Sequence, residues 1–181
     1  MNQSEINEMT RMMGEDKEIW VDINGYDGNY KISQYGNLKS FKYSTSGNMM
    51  NGSTTQGYTV VAFTKNGIQK RYKCHRLVGE YFIPNPLKLT IIDHIDNNHL
   101  NNVISNLRWV NNNQNMFNSK IPSNNTSGYK GVYYDNTTKK WKATWREQGH
   151  KKEKTLNTKD EAIAYREKKA KAHYGEYYRE T

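Results

Sequence analysis

The run Ile91-Ile92-Asp93-His94-Ile95-Asp96-Asn97-Asn98 decides how this chain is read. Two apolar residues lead an extended segment into an acid–imidazole pair, and the Asn-rich text after it is a loop. Downstream, Leu107-Arg108-Trp109-Val110 reads as a second strand, and a helix capped by Asn111 is expected to follow it and to carry Asn115. Such a hairpin plus helix brings Asp93 and Asn115 together. Carboxylate and carboxamide oxygens suit a hard divalent cation, Mg²⁺ or Mn²⁺, whereas zinc prefers His and Cys. One such cation is therefore expected, and no zinc. Strand alternation would send His94 to the face opposite Asp93, so a bend is expected at this pair. Carboxylate, imidazole and carboxamide around one metal read as phosphodiester cleavage.

Composition points to the same substrate. Against 18 Asp and Glu stand 27 Lys and Arg, a formal charge of +9 over 181 residues, so the surface attracts polyanions. An anionic membrane would also attract it. No apolar run approaches the roughly 20 residues a span needs, and no signal-peptide pattern is present. The expected location is the cytoplasm of a bacterial or phage-infected cell, with no membrane partner. Cys74 is the single cysteine, which excludes an internal disulfide and a Cys-rich zinc knuckle. A hydrophobic fraction of 34% is low for one large core and suits two or three small units.

Residues 1–17 read as a loose tail or short helix. The text changes at Ile19-Trp20-Val21-Asp22-Ile23. Tyr30 to Ser33 and Asn37 to Phe41 are expected to be short strands around a turn at Tyr35-Gly36, with structural roles for Trp20 and Tyr30. Tyr58 to Phe63 and Ile68 to Cys74 flank Lys65-Asn66-Gly67, a tight-hairpin signal because Asn-Gly tolerates positive φ. On the second strand, alternation puts Arg71 and Lys73 on one face, where they either track a phosphate backbone or form a solvated basic edge. His75 opens a short amphipathic helix through Phe82, stopped before Pro84. Its imidazole either lies under the Asp93–His94 site or touches nucleic acid, and is not catalytic.

His75-Arg76-Leu77-Val78, Asp93-His94-Ile95-Asp96, Asn101-Asn102 and Asn106-Leu107-Arg108-Trp109-Val110 together resemble the ββα-metal nuclease motif of the HNH homing endonucleases. The resemblance implies that Asp93 is a metal ligand and that His94 is the general base deprotonating water. It makes Asn106 the residue that fixes the hairpin loop and helps orient the base. Asn115, where many members have His, would be the second ligand, which places the chain among the H-N-N variants and argues further against zinc. The implied products are a 5′ phosphate and a 3′ hydroxyl. Arg108 either adds positive charge near the phosphate or lies on the outer face of its strand. Singly these residues are ordinary: a hydrogen-bonded His, a polar turn, a helix-capping Asn. Their joint occurrence lifts them above that. Residues 18–56, with Gly25-Tyr26, Asn29-Tyr30 and Gly36-Asn37-Leu38-Lys39-Ser40, resemble the small modular motif that often precedes HNH domains.

Residues 119–127 are polar and aperiodic, the pattern of a linker. Strand, strand, strand, helix follow over Tyr129–Tyr134, Lys140–Glu147, Lys151–Leu156 and Lys159–Tyr174, the helix capped by Thr158 with Glu161 three residues on. Trp141, Ala143 and Trp145 share one strand face; Lys142, Thr144 and Arg146 share the other. With Tyr129-Lys130-Gly131-Val132, Trp141-Lys142-Ala143, Glu161-Ala162, Ala164-Tyr165 and Tyr174-Gly175, this tail resembles the APETALA/ethylene-response-factor DNA-binding domain. The family's sheet enters the major groove, which implies DNA contacts at Lys130, Tyr133, Lys142, Thr144, Arg146, Lys152 and Lys154. Arg146 is the best candidate for a base, since a guanidinium can grip guanine in bidentate fashion. Tyr133 and Asp135 stand where plant members carry Arg, so their sequence preference does not transfer.

The expected class is α+β: an HNH ββα-metal core with short N-terminal β-hairpins, plus a C-terminal three-stranded antiparallel sheet packed on one helix. The expected divisions are a tail at 1–17, the modular motif at 18–56, the nuclease domain at 57–118, the linker at 119–127 and the DNA-binding domain at 128–177. The implied activity is site-specific cleavage of double-stranded DNA. A monomer with one active site nicks, and a double-strand break needs a dimer or two events. A catalytically silent DNA-binding regulator and an RNA-associated protein are the alternatives. RNA readers usually offer aromatic platforms, whereas Trp141 and Trp145 are expected to pack.

Overall fold

The computed structural model describes residues 17–112, 114–115, 121, 123–147 and 150–174, with residues 173 and 174 as backbone alone. The tail expected over residues 1–17 lies, apart from Lys17, outside the described residues, as does the end of the expected C-terminal domain. The chain forms two compact units, Met1–Asn111 and Asn112–Thr181.

In the first unit β1 (Trp20–Asp22), β2 (Tyr30–Ser33), β3 (Leu38–Ser40) and β4 (Asn48–Met50) pair in chain order as an antiparallel sheet. A second antiparallel sheet holds β5 (Ser53–Thr55), β6 (Tyr58–Lys65) and β7 (Ile68–Lys73). Asn66 and Gly67, with φ of 50° and 76°, close the β6–β7 hairpin in the conformation their sequence predicts. Helix α1 (Cys74–Phe82) follows directly and ends where Ile83, extended at φ −110° and ψ 118°, precedes Pro84. The hairpin of β8 (Ile91–His94) and β9 (Leu107–Val110) completes the unit.

The modular motif and the nuclease motif are not separate bodies. Ile32 and Leu38 from the first sheet, Val61 and Phe63 from β6, Val78 and Phe82 from α1, and Ile92 and Leu107 from the last hairpin form one core cluster. Strands of three or four residues cannot close a core alone, so they share one. Tyr30, 3% exposed, lies in it, which gives it the packing role expected of it. Gly79 lets α1 lie on β8: a Cβ there would collide with the tip of Ile92. On β7, Arg71 opposite Ala62 and Lys73 opposite Val60 share the outer face, while Tyr72 opposite Val61 faces the core.

The second unit is a sheet of β10 (Val132–Asp135), β11 (Lys140–Glu147) and β12 (His150–Leu156) covered by α2 (Lys159–Tyr174). Ala143 and Ala162 are fully buried beside Val132, small residues that let helix and sheet lie close. The capping box forms: Glu161 N donates to Thr158 Oγ1 at 3.2 Å, and Thr158 N donates to Glu161 Oε2 at 3.2 Å. Two expectations need correction. Lys152 pairs with Trp145 and Lys154 with Ala143, and directly opposed residues share a face. Both lysines therefore belong to the side bearing the helix, and the outer face carries Lys151 and Glu153 with Lys142, Thr144 and Arg146. The described end of the expected linker is also folded. Asn125 Oδ1 accepts from Ser127 N, Ser127 Oγ and Gly128 N, and Ser127 is buried. Among the described residues no helix is long and apolar enough to cross a membrane.

Candidate active site

The site grows from the turn that follows β8. His94 is the last residue of the strand and pairs with Leu107, while Asp93 pairs with Arg108. The bend falls immediately after the acid–imidazole pair: His94 O accepts from Asn97 N at 2.9 Å, and Asn97 takes φ of 58°. The loop is held by carboxamides around one carboxylate. Asp96 Oδ1 accepts from Asn98 N at 2.7 Å and Asn106 Nδ2 at 2.9 Å, and Asp96 Oδ2 accepts from Asn101 Nδ2 at 2.8 Å. Burial alone would raise the Asp96 pKa, but these donors outweigh it and hold the carboxyl below its usual range.

Asn106 thus fixes the loop, taking Asp96 N on Oδ1 at 3.0 Å and giving Nδ2 to Asn101 O at 2.8 Å. The residue on the base is a different one. His94 Nε2 lies 3.2 Å from Oδ1 of Asn102, whose own Nδ2 donates to Leu100 O at 3.1 Å. That second bond turns Oδ1 toward the ring, an arrangement that fits an Asn102 acceptor with the proton on Nε2. Sequence reasoning placed base orientation on Asn106. The signal for Asn102 was its position at the close of the loop, but no spacing rule says which of several Asn reaches back to the ring.

His94 is 3% exposed and is flanked by the rings of His75, His99 and Tyr58. His75 stands edge-on to it with ring centroids 4.9 Å apart, and His99 lies at 5.3 Å. His75 therefore lies under the site, one of the two places expected of it. Burial lowers the pKa of His94, an effect that the Asn102 bond only partly offsets. Burial, then the neighbouring His94 and Lys73, lower that of His75 to about 3. Both rings stay neutral at pH 7, the state a base requires.

Asp93 is buried at 7% and takes Arg108 Nε at 3.1 Å and Nη2 at 3.0 Å, both on Oδ2. Arg108 is thus turned onto Asp93, its partner across the hairpin. Among the described residues no group of three or more His, Cys, Asp or Glu could hold a metal. The donors that fit an ion here are oxygens, and a hard cation that keeps most of its waters needs one or two of them. Asn112, Gln114 and Asn115 are helical and open the second unit, with Asn115 half-buried; the remainder of the helix expected there lies outside the described residues. Asp93, His94, Asn102, Asn106 and Arg108 come together within the first unit.

A loop-bearing β-hairpin carries the buried acid–imidazole pair and packs on α1. The HNH endonuclease family profile matches residues 72–117, and that of the NUMOD4 motif matches residues 18–64. An uncharacterized HNH endonuclease L245 of Acanthamoeba polyphaga mimivirus is 40% identical over 92 residues, 51% of this chain and 27% of the relative. The DNA endonuclease I-HmuI of Bacillus phage SP01 is 37% identical over 92 residues, 50% of this chain and 51% of its own. Its solved structure, described as DNA binding and cleavage by an HNH homing endonuclease, is similar with a TM-score of 0.48 at 36% identity over 54% of this chain and 55% of that one. Protein 3.8 of Escherichia phage T7 is 33% identical over 90 residues, 49% of this chain and 73% of the relative. The chain belongs to the HNH endonuclease family, and it spans about a quarter of the first of these relatives and half of the second.

Proposed function

We propose that this protein is a homing-type endonuclease that nicks double-stranded DNA, with His94 as general base and one Mg²⁺ or Mn²⁺ held by Asp93 and Asn115. The observation that carries the reading is the Asn102–His94 bond beside Asp93, which fits an imidazole set to accept a proton on Nδ1. His94, neutral because buried, takes a proton from the attacking water; the water oxygen bonds to phosphorus, and the bond to the 3′ oxygen breaks. The departing 3′ oxygen takes a proton from solvent, so the strand ends are a 5′ phosphate and a 3′ hydroxyl. When bound, the cation supplies positive charge to the scissile phosphate and to the departing oxygen. Arg108 fixes the Asp93 carboxylate through two bonds to Oδ2. Asn106 keeps the turn that presents both catalytic side chains.

The tail acts in this reading as an APETALA-type recognition domain whose outer sheet face meets DNA through Tyr133, Thr144, Arg146 and Lys151, with Lys130 at its edge. The protein works as a monomer inside a bacterial or phage-infected cell. The Arg108–Asp93 pair is also what a silent DNA-binding regulator would retain, since it neutralises the carboxylate. Supercoiled plasmid libraries of phage genomic fragments, incubated with Mg²⁺, with Mn²⁺ and with EDTA, separate the two. Metal-dependent open circles support the nuclease. Tight duplex binding with no cutting under any condition supports the regulator.

A further inference from the structure

The exposed side of the His94 cluster carries a stack that this reaction does not use. His99 lies flat on Tyr58, ring centroids 4.3 Å apart and planes within 6°, and Lys73 Nζ stands 4.0 Å from the Tyr58 centroid. Tyr58 pairs with Thr55 and Lys73 with Val60, so both lie on the outer face of the β5–β7 sheet that also carries Arg71. The loop around His99 is pinned on both sides, by Leu100 N on Asn98 Oδ1 at 3.2 Å and by Asn101 Nδ2 on Asp96 Oδ2 at 2.8 Å. His99 is exposed while the neighbouring His94 is buried.

We propose that His99 is a substrate-contacting residue of the cleavage site, donating a hydrogen bond to a phosphate oxygen of the strand under attack, with Lys73 and Arg71 continuing the contact along the backbone. The proposal deepens the nuclease reading and rests on it. A water within about 3 Å of the His94 nitrogen and a phosphorus about 3.5 Å beyond it leave the non-bridging oxygens within reach of a ring whose centre is 5.3 Å from that of His94. An imidazole offers an N–H in either charge state, so the contact needs no titration. The Tyr58 face fixes the ring plane, so little rotamer freedom is lost when DNA arrives.

Two measurements on the full-length chain test this. His99→Phe keeps a flat ring on Tyr58 and removes the N–H; kcat/KM for plasmid nicking is expected to fall about 10²-fold, with the unfolding midpoint unchanged. In the metal-free wild type, sheared duplex DNA at saturation is expected to protect His99 from diethyl pyrocarbonate, mapped by mass spectrometry. Wild-type cutting by His99→Phe, or full modification of His99 under saturating DNA, overturns the proposal. Protection of His99 in a protein that cuts nothing with either metal supports the contact and overturns the nuclease reading instead. The protection arm uses the wild type and stands even if the variant misfolds.

Discussion

His94 and Asn102 are joined through Nε2 and Oδ1 at 3.2 Å, across a loop whose other bonds leave the amide one orientation. Because burial lowers the His94 pKa, the acid limb of the nicking rate should fall below the roughly 6.5 of an ordinary imidazole. Activity rises with pH through that limb, since the neutral ring is the base. Asn102→Asp puts a carboxylate on Nε2, favours the imidazolium and should move the limb to higher pH. An unchanged pH–kcat profile would mean that Asn102 does not govern the base.

Arg108 is 18% and Asp93 7% exposed at their side chains, so their ion pair is largely shielded from water. Arg108→Ala should leave a buried carboxylate uncompensated and cost about 3 kcal/mol in urea denaturation with EDTA present. A loss below about 0.5 kcal/mol, the scale of an exposed pair, would show that Asp93 is balanced by other groups.

His75 is held neutral in the fold, with its pKa lowered to about 3 chiefly by burial. Between about pH 6.5 and 3 the unfolded chain binds a proton that the folded chain refuses, so stability is full above this window and falls on acidification by up to about 1.4 kcal/mol per pH unit. His75→Phe should make the dependence of the unfolding midpoint on pH shallower. His94, shifted the same way, keeps a residual slope. A slope as steep as the wild type would contradict the assignment.

On the outer face of the C-terminal sheet Lys142 is already occupied, 3.0 Å from Asp135 Oδ2 and 3.1 Å from Glu153 Oε1. The Asp135 bond, then Glu153, raise the Lys142 pKa, and the Lys142 bond depresses that of Asp135. Lys142→Ala should therefore change duplex affinity little. Arg146→Ala should cost about 1–3 kcal/mol of discrimination at one base pair, and Lys151→Ala should reduce the salt slope by about 1. Competition binding against a randomised duplex at several salt concentrations measures all three, and a larger loss at Lys142 than at Arg146 would reverse the assignment.

Much of this was legible because the signals are local. Asn66-Gly67 names its turn, Thr158 and Glu161 name a capping box, and the alternation of β11 separates Trp141 and Trp145 from Lys142 and Arg146. What escaped depends on register and on long-range packing. Nothing local says that Lys152 falls opposite Trp145, since a slip by one residue would reverse its face. Ile32 and Phe63 meet in one core although their motifs read as separate modules. Around His94 the residue types were readable, but the partner was not: Asn101, Asn102 and Asn106 are chemically alike, and the turn geometry decides which one reaches the ring.

The central claim is that His94 accepts the proton in a metal-dependent cut. The most direct measurement compares wild type and His94→Ala on a plasmid substrate with Mg²⁺ or Mn²⁺, alongside duplex affinity in EDTA. The account requires metal-dependent open circles from the wild type, none from His94→Ala, and equal affinity for DNA. Cleavage retained by His94→Ala, or its loss together with DNA binding, would contradict it.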